Sequence, residues 1–540
     1  MSKVWQERVV YQIYPRSFQD TDGDGIGDIP GIILHLGDLK NLGVGILWLS
    51  PVYASPNDDN GYDISDYRSI QPEFGTMADM DRLIAEARRL DILLVMDLVI
   101  NHTSDEHEWF RKSRDPHSSY RDYYIWRAGV DDGPPNNWTS FFTEKCWEFD
   151  PRSGEYYLHL FSKKQPDLNY RNPAVLNEIE EIMRFWLDKG IYGFRCDVIN
   201  VIYKASLEDG ERKFMLTGSE HYISRSGTHE ILRRLRSDVL DHYDCFAVGE
   251  TVFVTPKMAR DLCGPDRREL DMVFSFEHMD TDQYFVKWFR RRFHAGRFGK
   301  VITRWQTELD WNANYLENHD QTRSVSRFGS DTAFWKESAK MLAVLLLSLR
   351  GTPFIYQGQE IGMTNFDFKT MDQIRDIESH YVYRLFRRLH MPKRICWRMI
   401  RLAGRDNART PMQWNASENA GFSTGTPWLR VNGAAQNINF ESQNMDPDSI
   451  LHFYRQMIAL RAQSPVLLNG SFRSIRNSRR LIAFEREWCG EKLTVLLSFS
   501  VTSQRVAGAG SVLISTAGRT EYSGVLAPYE GIILRTEMKT

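Results

Sequence analysis

The sequence predicts an α/β fold: a (β/α)8 TIM barrel with a subdomain inserted after strand 3 and an antiparallel β-domain at the C-terminus. Three observations lead there. Short apolar runs recur about eight times with helical stretches between them, the alternation of a parallel barrel. Nearly a hundred residues separate the third run from the fourth. Beyond about residue 464 the pattern changes to short alternating strands.

The eight runs cover residues 9–14, 44–49, 93–99, 193–197, 246–250, 272–276, 314–317 and 352–356. Amphipathic or apolar stretches lie between most of them, for example 80–90, 174–189 and 334–349. The expected layout is a first barrel portion (1–102), an inserted subdomain (103–172), a second barrel portion (173–463, with a helical insert near 366–403) and a β-domain (464–540). The insert holds 15 aromatic residues, well above the chain's 13%. Aromatic faces stack on sugar rings and also fill small cores, and the insert is read as doing both beside the active site.

Composition narrows the partners. A chain of 540 residues exceeds one ordinary core. Its 42% hydrophobic and 26% charged residues are those of a globular protein. A net charge of -3 gives no reason to expect nucleic acid. The basic runs at Arg290-Arg291-Arg292 and 384–401 read as solvated helix faces, because acidic residues elsewhere offset them. Six scattered cysteines form no C-x-x-C pair, which suits a reducing compartment. The N-terminal segment lacks the apolar core of a signal peptide. The longest apolar run, 341–349, is far short of the ~20 residues that span a bilayer. A cytoplasmic monomer with no membrane contact is expected.

Barrel enzymes carry their chemistry at the C-terminal ends of the strands, and here those ends are polar. The third run leads into Asp97, Asn101 and His102; the fourth ends in Arg195 and Asp197; the fifth in Glu250; the seventh leads into Asn318, His319 and Asp320. Buried charges are costly unless paired or used. Glycoside hydrolysis uses such a set: one carboxylate attacks the anomeric carbon and a carboxylic acid protonates the leaving oxygen, about 5 to 5.5 Å apart in retaining enzymes. A third carboxylate stabilises the oxocarbenium-like charge, and the Arg195 guanidinium keeps Asp197 ionised.

DLVINH (97–102), GFRCD (193–197), VGE (248–250) and ENHD (317–320) resemble the ordered motifs of glycoside hydrolase family 13, the α-amylase family. VVYQIYPRSFQD (9–20), NDDNGYDI (57–64), QPDLN (165–169), GTPFIYQGQEIGMTN (351–365) and GRDNARTPMQW (404–414) extend the likeness over nearly the whole chain. Together they resemble the oligo-1,6-glucosidase and dextran-glucosidase group. The resemblance implies Asp197 as nucleophile, Glu250 as acid/base and Asp320 as transition-state stabiliser. It implies Asp63, Tyr62, His102, Phe161, Gln165, Arg195, Val198, His319 and Arg405 as substrate-binding residues, with Asp63 and Arg405 together gripping the distal hydroxyls of the terminal glucose. The implied activity is retaining, exo-acting hydrolysis of α-1,6-linked glucose from isomaltose, isomalto-oligosaccharides or dextran fragments. Val198 carries the linkage, since valine after the nucleophile resembles the α-1,6-specific members and threonine the maltases.

Two departures stand out. Where the group has Asn-Asn-His-Asp-Gln-Pro-Arg, this chain has Glu317 and Thr322, expected to alter subsite preference. No Arg-Leu-Asp-Arg-like stretch follows Met279, as it does in similar sucrose isomerases. The rivals are a trehalose-6-phosphate hydrolase, a sucrose-active glucosidase or a transglucosylase of the same family. A more remote rival is a non-catalytic transporter heavy-chain-like protein, disfavoured because all three carboxylates are present.

Asp20, Asp22, Asp24 and Asp28 alternate with glycines, a spacing that wraps a hard cation in oxygens. It is not an EF-hand, because the twelfth position is Gly31. The resemblance implies one structural calcium held by these aspartates and the Ile26 carbonyl, with no organic cofactor.

Overall fold

The computed structural model describes residues 3–142, 145–213 and 215–537. Eight parallel strands form the central sheet: β1 (Val10–Ile13), β2 (Ile46–Leu49), β3 (Leu93–Leu98), β4 (Gly193–Cys196), β5 (Phe246–Glu250), β6 (Met272–Phe274), β7 (Ala313–Asn314) and β8 (Thr352–Tyr356). They are ordered β6-β5-β4-β3-β2-β1-β8-β7, every pair parallel. The edge strands β6 and β7 lie against each other, so the sheet curls into a nearly closed barrel. Most strand residues are buried on both faces, which explains why the strands read as continuous apolar runs.

Two strands are shorter than the sequence suggested. β7 holds only two residues, where 314–317 was expected. Its ladder to β8 runs Ala313↔Thr352 and Asn314↔Pro353, and Pro353 has no N–H to continue it. β6 ends at Phe274 instead of 276.

Register then fixes the site. Asp97 stands opposite Arg195 in the β3–β4 ladder. Cys196 stands opposite Gly249 in the β4–β5 ladder, so the next residues, Asp197 and Glu250, leave neighbouring strands at the same level. Neighbouring strands run about 4.8 Å apart, close to the carboxyl separation of a retaining pair.

Between β3 and β4, Trp126–Arg127, Trp147–Asp150 and Glu155–Leu158 make a small antiparallel sheet. Its Trp147 and Leu158 share a buried cluster with Phe161, Val198, Val201 and Tyr222, so the aromatic insert packs directly against the end of β4. Past β8, helices Ile377–Arg388 and Lys393–Ala403 pack on the Val286–Arg290 strand around Trp288, Phe386 and Met399. The C-terminal sheet is antiparallel, with strands β9 (Ser471–Ser478), β10 (Leu481–Trp488), β11 (Glu491–Ser498), β12 (Ser511–Ser515) and β13 (Gly531–Glu537) ordered β9-β10-β11-β13-β12. The apolar run 341–349 belongs to helix Trp335–Ser348, buried between barrel and C-terminal sheet. Among the described residues no helix is long and apolar enough to cross a membrane.

Candidate active site

The residues at the ends of β3, β4 and β5 meet around one guanidinium. Arg195 Nη1 lies 2.6 Å from both Asp97 Oδ1 and Asp197 Oδ1, and Nη2 lies 2.7 Å from Glu250 Oε2. Arg195 also sits over the faces of Trp48 and Tyr62. Asp97 accepts further hydrogen bonds from Trp48 Nε1 and the Tyr62 hydroxyl. An arginine fork suits this arrangement, because its donors diverge in fixed directions.

Burial raises the Asp197 carboxyl to about 6, with Arg195 pulling it down. Burial raises Glu250 to about 8; Arg195 opposes this, while the Asp197 and Asp320 charges reinforce it. The two side chains hydrogen-bond each other. Near neutrality Asp197 is therefore the carboxylate and Glu250 the carboxylic acid, the division of labour that a retaining glycosidase requires.

The backbone tightens immediately after Asp197. Val198 has φ 35°, in the left-handed region that a β-branched residue rarely enters. The turn directs the Val198 N–H to Glu250 Oε2 at 3.2 Å. It also sets the Val198 side chain into the insert's cluster beside Phe161.

Asp320 is held by a second cationic group. Arg409 Nη2 lies 2.6 Å and Arg405 Nη1 3.4 Å from its Oδ1. Burial alone would raise this carboxyl, but His319, Arg405 and Arg409 outweigh it and hold Asp320 far below the usual range. His319 is fixed between Gln12 Nε2 and the Tyr62 hydroxyl, each 2.7 Å away, and its ring stacks on Tyr62. Burial lowers His319 to about 3 and His102 to about 4, so both are neutral hydrogen-bonding groups. His102 Nε2 and Gln165 Nε2 meet the Tyr62 carbonyl, and Phe161 packs on the His102 ring.

The expected pairing of Asp63 with Arg405 is not what the structure contains. Asp63 is turned onto its own loop, where its carboxylate accepts the backbone N–H groups of Asp58 and Asp59. Asp59 meets Arg405 instead, Oδ1 to Nη2 at 3.0 Å, and also receives Gln165 Nε2. The loop 57–63 must satisfy its own buried amides, and Asp63 does so. Two further residues in this group were not anticipated. Asp376, N-cap of the helix Ile377–Arg388, lies 2.8 Å from Arg405 Nη2. Arg409, one helical turn after Arg405, bonds the His319 carbonyl through Nε. An N-cap aspartate before an amphipathic stretch and an Arg-x-x-x-Arg spacing were the available signals.

The Glu317 side chain lies at the start of a short helix. Its carboxyl accepts the Ser324 N–H at the start of helix Ser324–Phe328 and is buried.

In the loop after β1, Asp20, Asp22 and Asp28 each offer a carboxylate oxygen within 4.8 Å of the others. Asp24 lies outside this group and accepts the Ile26 N–H. Asp20 also accepts the Ser423 hydroxyl, which ties the loop to the segment past β8.

The chain matches the model of the alpha amylase catalytic domain over residues 12–470. It is 52% identical to an oligo-1,6-glucosidase of Parageobacillus thermoglucosidasius, with 92% of this chain and 90% of the relative covered. It is 43% identical to a glucan 1,6-alpha-glucosidase of Streptococcus pneumoniae, covering 98% of each. Among solved structures, the trehalose-6-phosphate hydrolase of Bacillus licheniformis superposes with a TM-score of 0.94 at 41% identity, over 99% of this chain and 100% of that one. A barrel whose strand ends converge on Asp197, Glu250 and Asp320, a family model spanning most of the sequence and relatives this close together establish that the chain belongs to the α-amylase family and is a glycoside hydrolase.

Proposed function

We propose that the protein is a retaining, exo-acting α-glucosidase that removes glucose from the non-reducing ends of α-1,6-linked oligosaccharides. The observation that carries this reading is the Asp197–Glu250 pair on Arg195, one carboxyl ionised and the other protonated near neutrality. Asp197 attacks the anomeric carbon as Glu250 gives its proton to the departing glycosidic oxygen. Glu250, now ionised, takes a proton from the water that opens the glycosyl-enzyme, and the two inversions return α-glucose. Asp320, kept ionised by Arg405 and Arg409, faces the positive charge that develops on the ring. Asp59, Arg405 and Asp376 form a charged floor suited to the distal hydroxyls of one terminal glucose, which supports exo action.

Val198 supports the linkage. It adjoins the nucleophile and packs beside Phe161 at the insert. Valine and threonine share a shape, but only threonine offers a hydroxyl, and one such contact is worth about 1 to 3 kcal/mol in discrimination. Isomaltose or isomaltotriose is expected to be cut faster than maltose, and Val198→Thr to shift the ratio toward maltose by about tenfold or more. A panel of isomaltose, isomaltotriose, maltose, sucrose, trehalose and trehalose 6-phosphate decides it. Fastest cleavage of maltose or trehalose 6-phosphate would sink the α-1,6 reading.

The same reading gives the loop after β1 a structural calcium. Asp20, Asp22 and Asp28 would hold it, and their convergence fits a hard cation. The ion would neutralise three carboxylates and brace the loop, taking no part in the chemistry. A chelator is expected to lower the melting temperature by about 2 to 5 °C while turnover at 25 °C persists, because binding to the native state alone stabilises by mass action. An unchanged melting curve, with no metal by elemental analysis, would remove calcium. The reading also puts the enzyme in the cytoplasm as a monomer, in keeping with six unpaired cysteines.

A further inference from the structure

Past the end of β5 the surface turns apolar. A cleft of about 800 Å3 has walls from three loops: Met215 and Leu216 after β4, Phe253 after β5, and Tyr284, Phe285 and Phe289 of the hairpin after β6. Phe285 is 96% exposed, Phe253 63% and Tyr284 54%, a concentration of bare aromatic surface that a protein seldom leaves without use.

One wall of the cleft, Phe253, stands close to the reacting centre along the chain. Phe253 follows Glu250 by three residues, a reach of at most about 10 Å. Its loop is pinned next to the nucleophile, with Asn200 bonding both the N–H and the carbonyl of Val252. The hairpin is tied to the opposite side: Lys287 Nζ lies 2.5 Å from Glu378 Oε2, and Glu378 lies 3.6 Å from Arg405 Nε. Glu250 protonates the departing oxygen, so the departing chain leaves on the side of the site that carries Glu250.

Backbone strain marks the same place. Sixteen non-glycine residues have positive φ among those described, most of them small or polar. Large apolar side chains account for five: Val198, Leu216, Phe253, Phe285 and Tyr529. The first adjoins the nucleophile and the next three line this cleft. Each such conformation costs roughly 1 to 3 kcal/mol and persists where the surroundings hold a side chain for a task.

We propose that this cleft is a remote subsite for the leaving side of the substrate, where Phe253, Tyr284 and Phe285 stack on glucosyl units beyond the first one past the scissile bond. The proposal rests on the α-glucosidase reading and adds a chain-length preference to it. The C–H faces of a glucose ring are apolar and match an aromatic plane, and the exocyclic carbon of an α-1,6 link lets successive rings turn to meet it. Isomaltose is too short to reach the platform, whereas isomaltotetraose and isomaltopentaose span it.

The test is kcat/KM across isomaltose, isomaltotriose, isomaltotetraose and isomaltopentaose. In the wild type it is expected to rise by about 3- to 10-fold from shortest to longest, the worth of one or two aromatic contacts. Phe285→Ala and the Tyr284→Ala/Phe285→Ala pair should flatten this rise through KM, and Phe285→Trp should retain it. Phe285 is exposed, so its truncation leaves the fold intact, which the melting curve checks. A flat wild-type series, or a rise that survives both variants, overturns the platform. Dimers in sedimentation that dissociate on Phe285→Ala, with the rise unaltered, would give the surface to a second copy and likewise overturn it. A wild type preferring maltose would sink the α-1,6 reading separately, because the platform is read from long against short substrates within one linkage.

Discussion

Asp197→Ala is expected to lower turnover of isomaltose by about 10^4-fold or more, with Glu250→Gln and Asp320→Asn each costing about 10^2- to 10^4-fold, and none of the three unfolding the chain. The losses differ in kind. Without Asp197 there is no atom to form the glycosyl-enzyme. Without the Glu250 proton the leaving oxygen departs as an alkoxide, so the defect in kcat/KM should shrink on an aryl glucoside, whose phenolate leaves unaided, while turnover stays slow because the glycosyl-enzyme still lacks its base. That contrast identifies the acid, since loss of Asp320 weakens both substrates alike. Asp320→Asn keeps the shape and removes the charge that Arg405 and Arg409 hold in place. NMR of the first product should show α-glucose; β-glucose would mean inversion and dismiss Asp197 as nucleophile. Near-normal turnover in any one variant removes that residue from its role.

The second large effect is expected from Arg195. Wild-type kcat/KM should follow a bell in pH. It falls below about 6 as Asp197 takes up a proton, and above about 8 as Glu250 loses one. The two limbs belong to the coupled pair. The guanidinium lowers both carboxyls, so Arg195→Gln should move both limbs upward, and the acid limb then lies closer to neutrality. The bell shifts to higher pH and kcat/KM at neutral pH drops by about 10^3-fold or more. Arg195→Lys should recover only part, since one ammonium cannot bridge Asp97, Asp197 and Glu250. The variant also leaves buried Asp97 without its cation, which costs on the order of 3 to 5 kcal/mol of stability. An unmoved acid limb in a folded Arg195→Gln protein would show that the guanidinium does not set the Asp197 proton equilibrium.

The strand ends were readable from sequence for a physical reason. A parallel barrel strand is apolar throughout until it reaches the rim, so a charge closing such a run, as at Asp97, Asp197 or Glu250, reports its position directly. Register follows from the same pattern, and it brings Asp197 level with Glu250. Loops offer no such period. Asp59 and Asp63 lie four residues apart in one polar loop, and only the folded backbone shows which carboxylate its amides consume. Asp376 was hidden because it belongs to a helical excursion whose packing partner, the strand Val286–Arg290, is distant in sequence. In the loop after β1 the aspartate spacing was visible, yet only three of the four carboxylates converge. The strained aromatics Phe253 and Phe285 left no signal, because composition does not reveal the sign of φ.

The helix Trp335–Ser348 has a consequence for how the chain is made. One side of it faces the barrel, and the other is covered by β11 and β13, with Val344 and Met341 against Gly531. During synthesis its partner strands arrive last. β13 ends about 190 residues after the helix does, an interval of roughly 10 to 40 s at ordinary elongation rates. The helix Ile450–Gln463 covers part of this outer flank earlier, and the part that faces β11 and β13 waits for the end of the chain. The C-terminal sheet is thus the last cover this helix receives, and a chain ended before it is expected to expose that flank and aggregate.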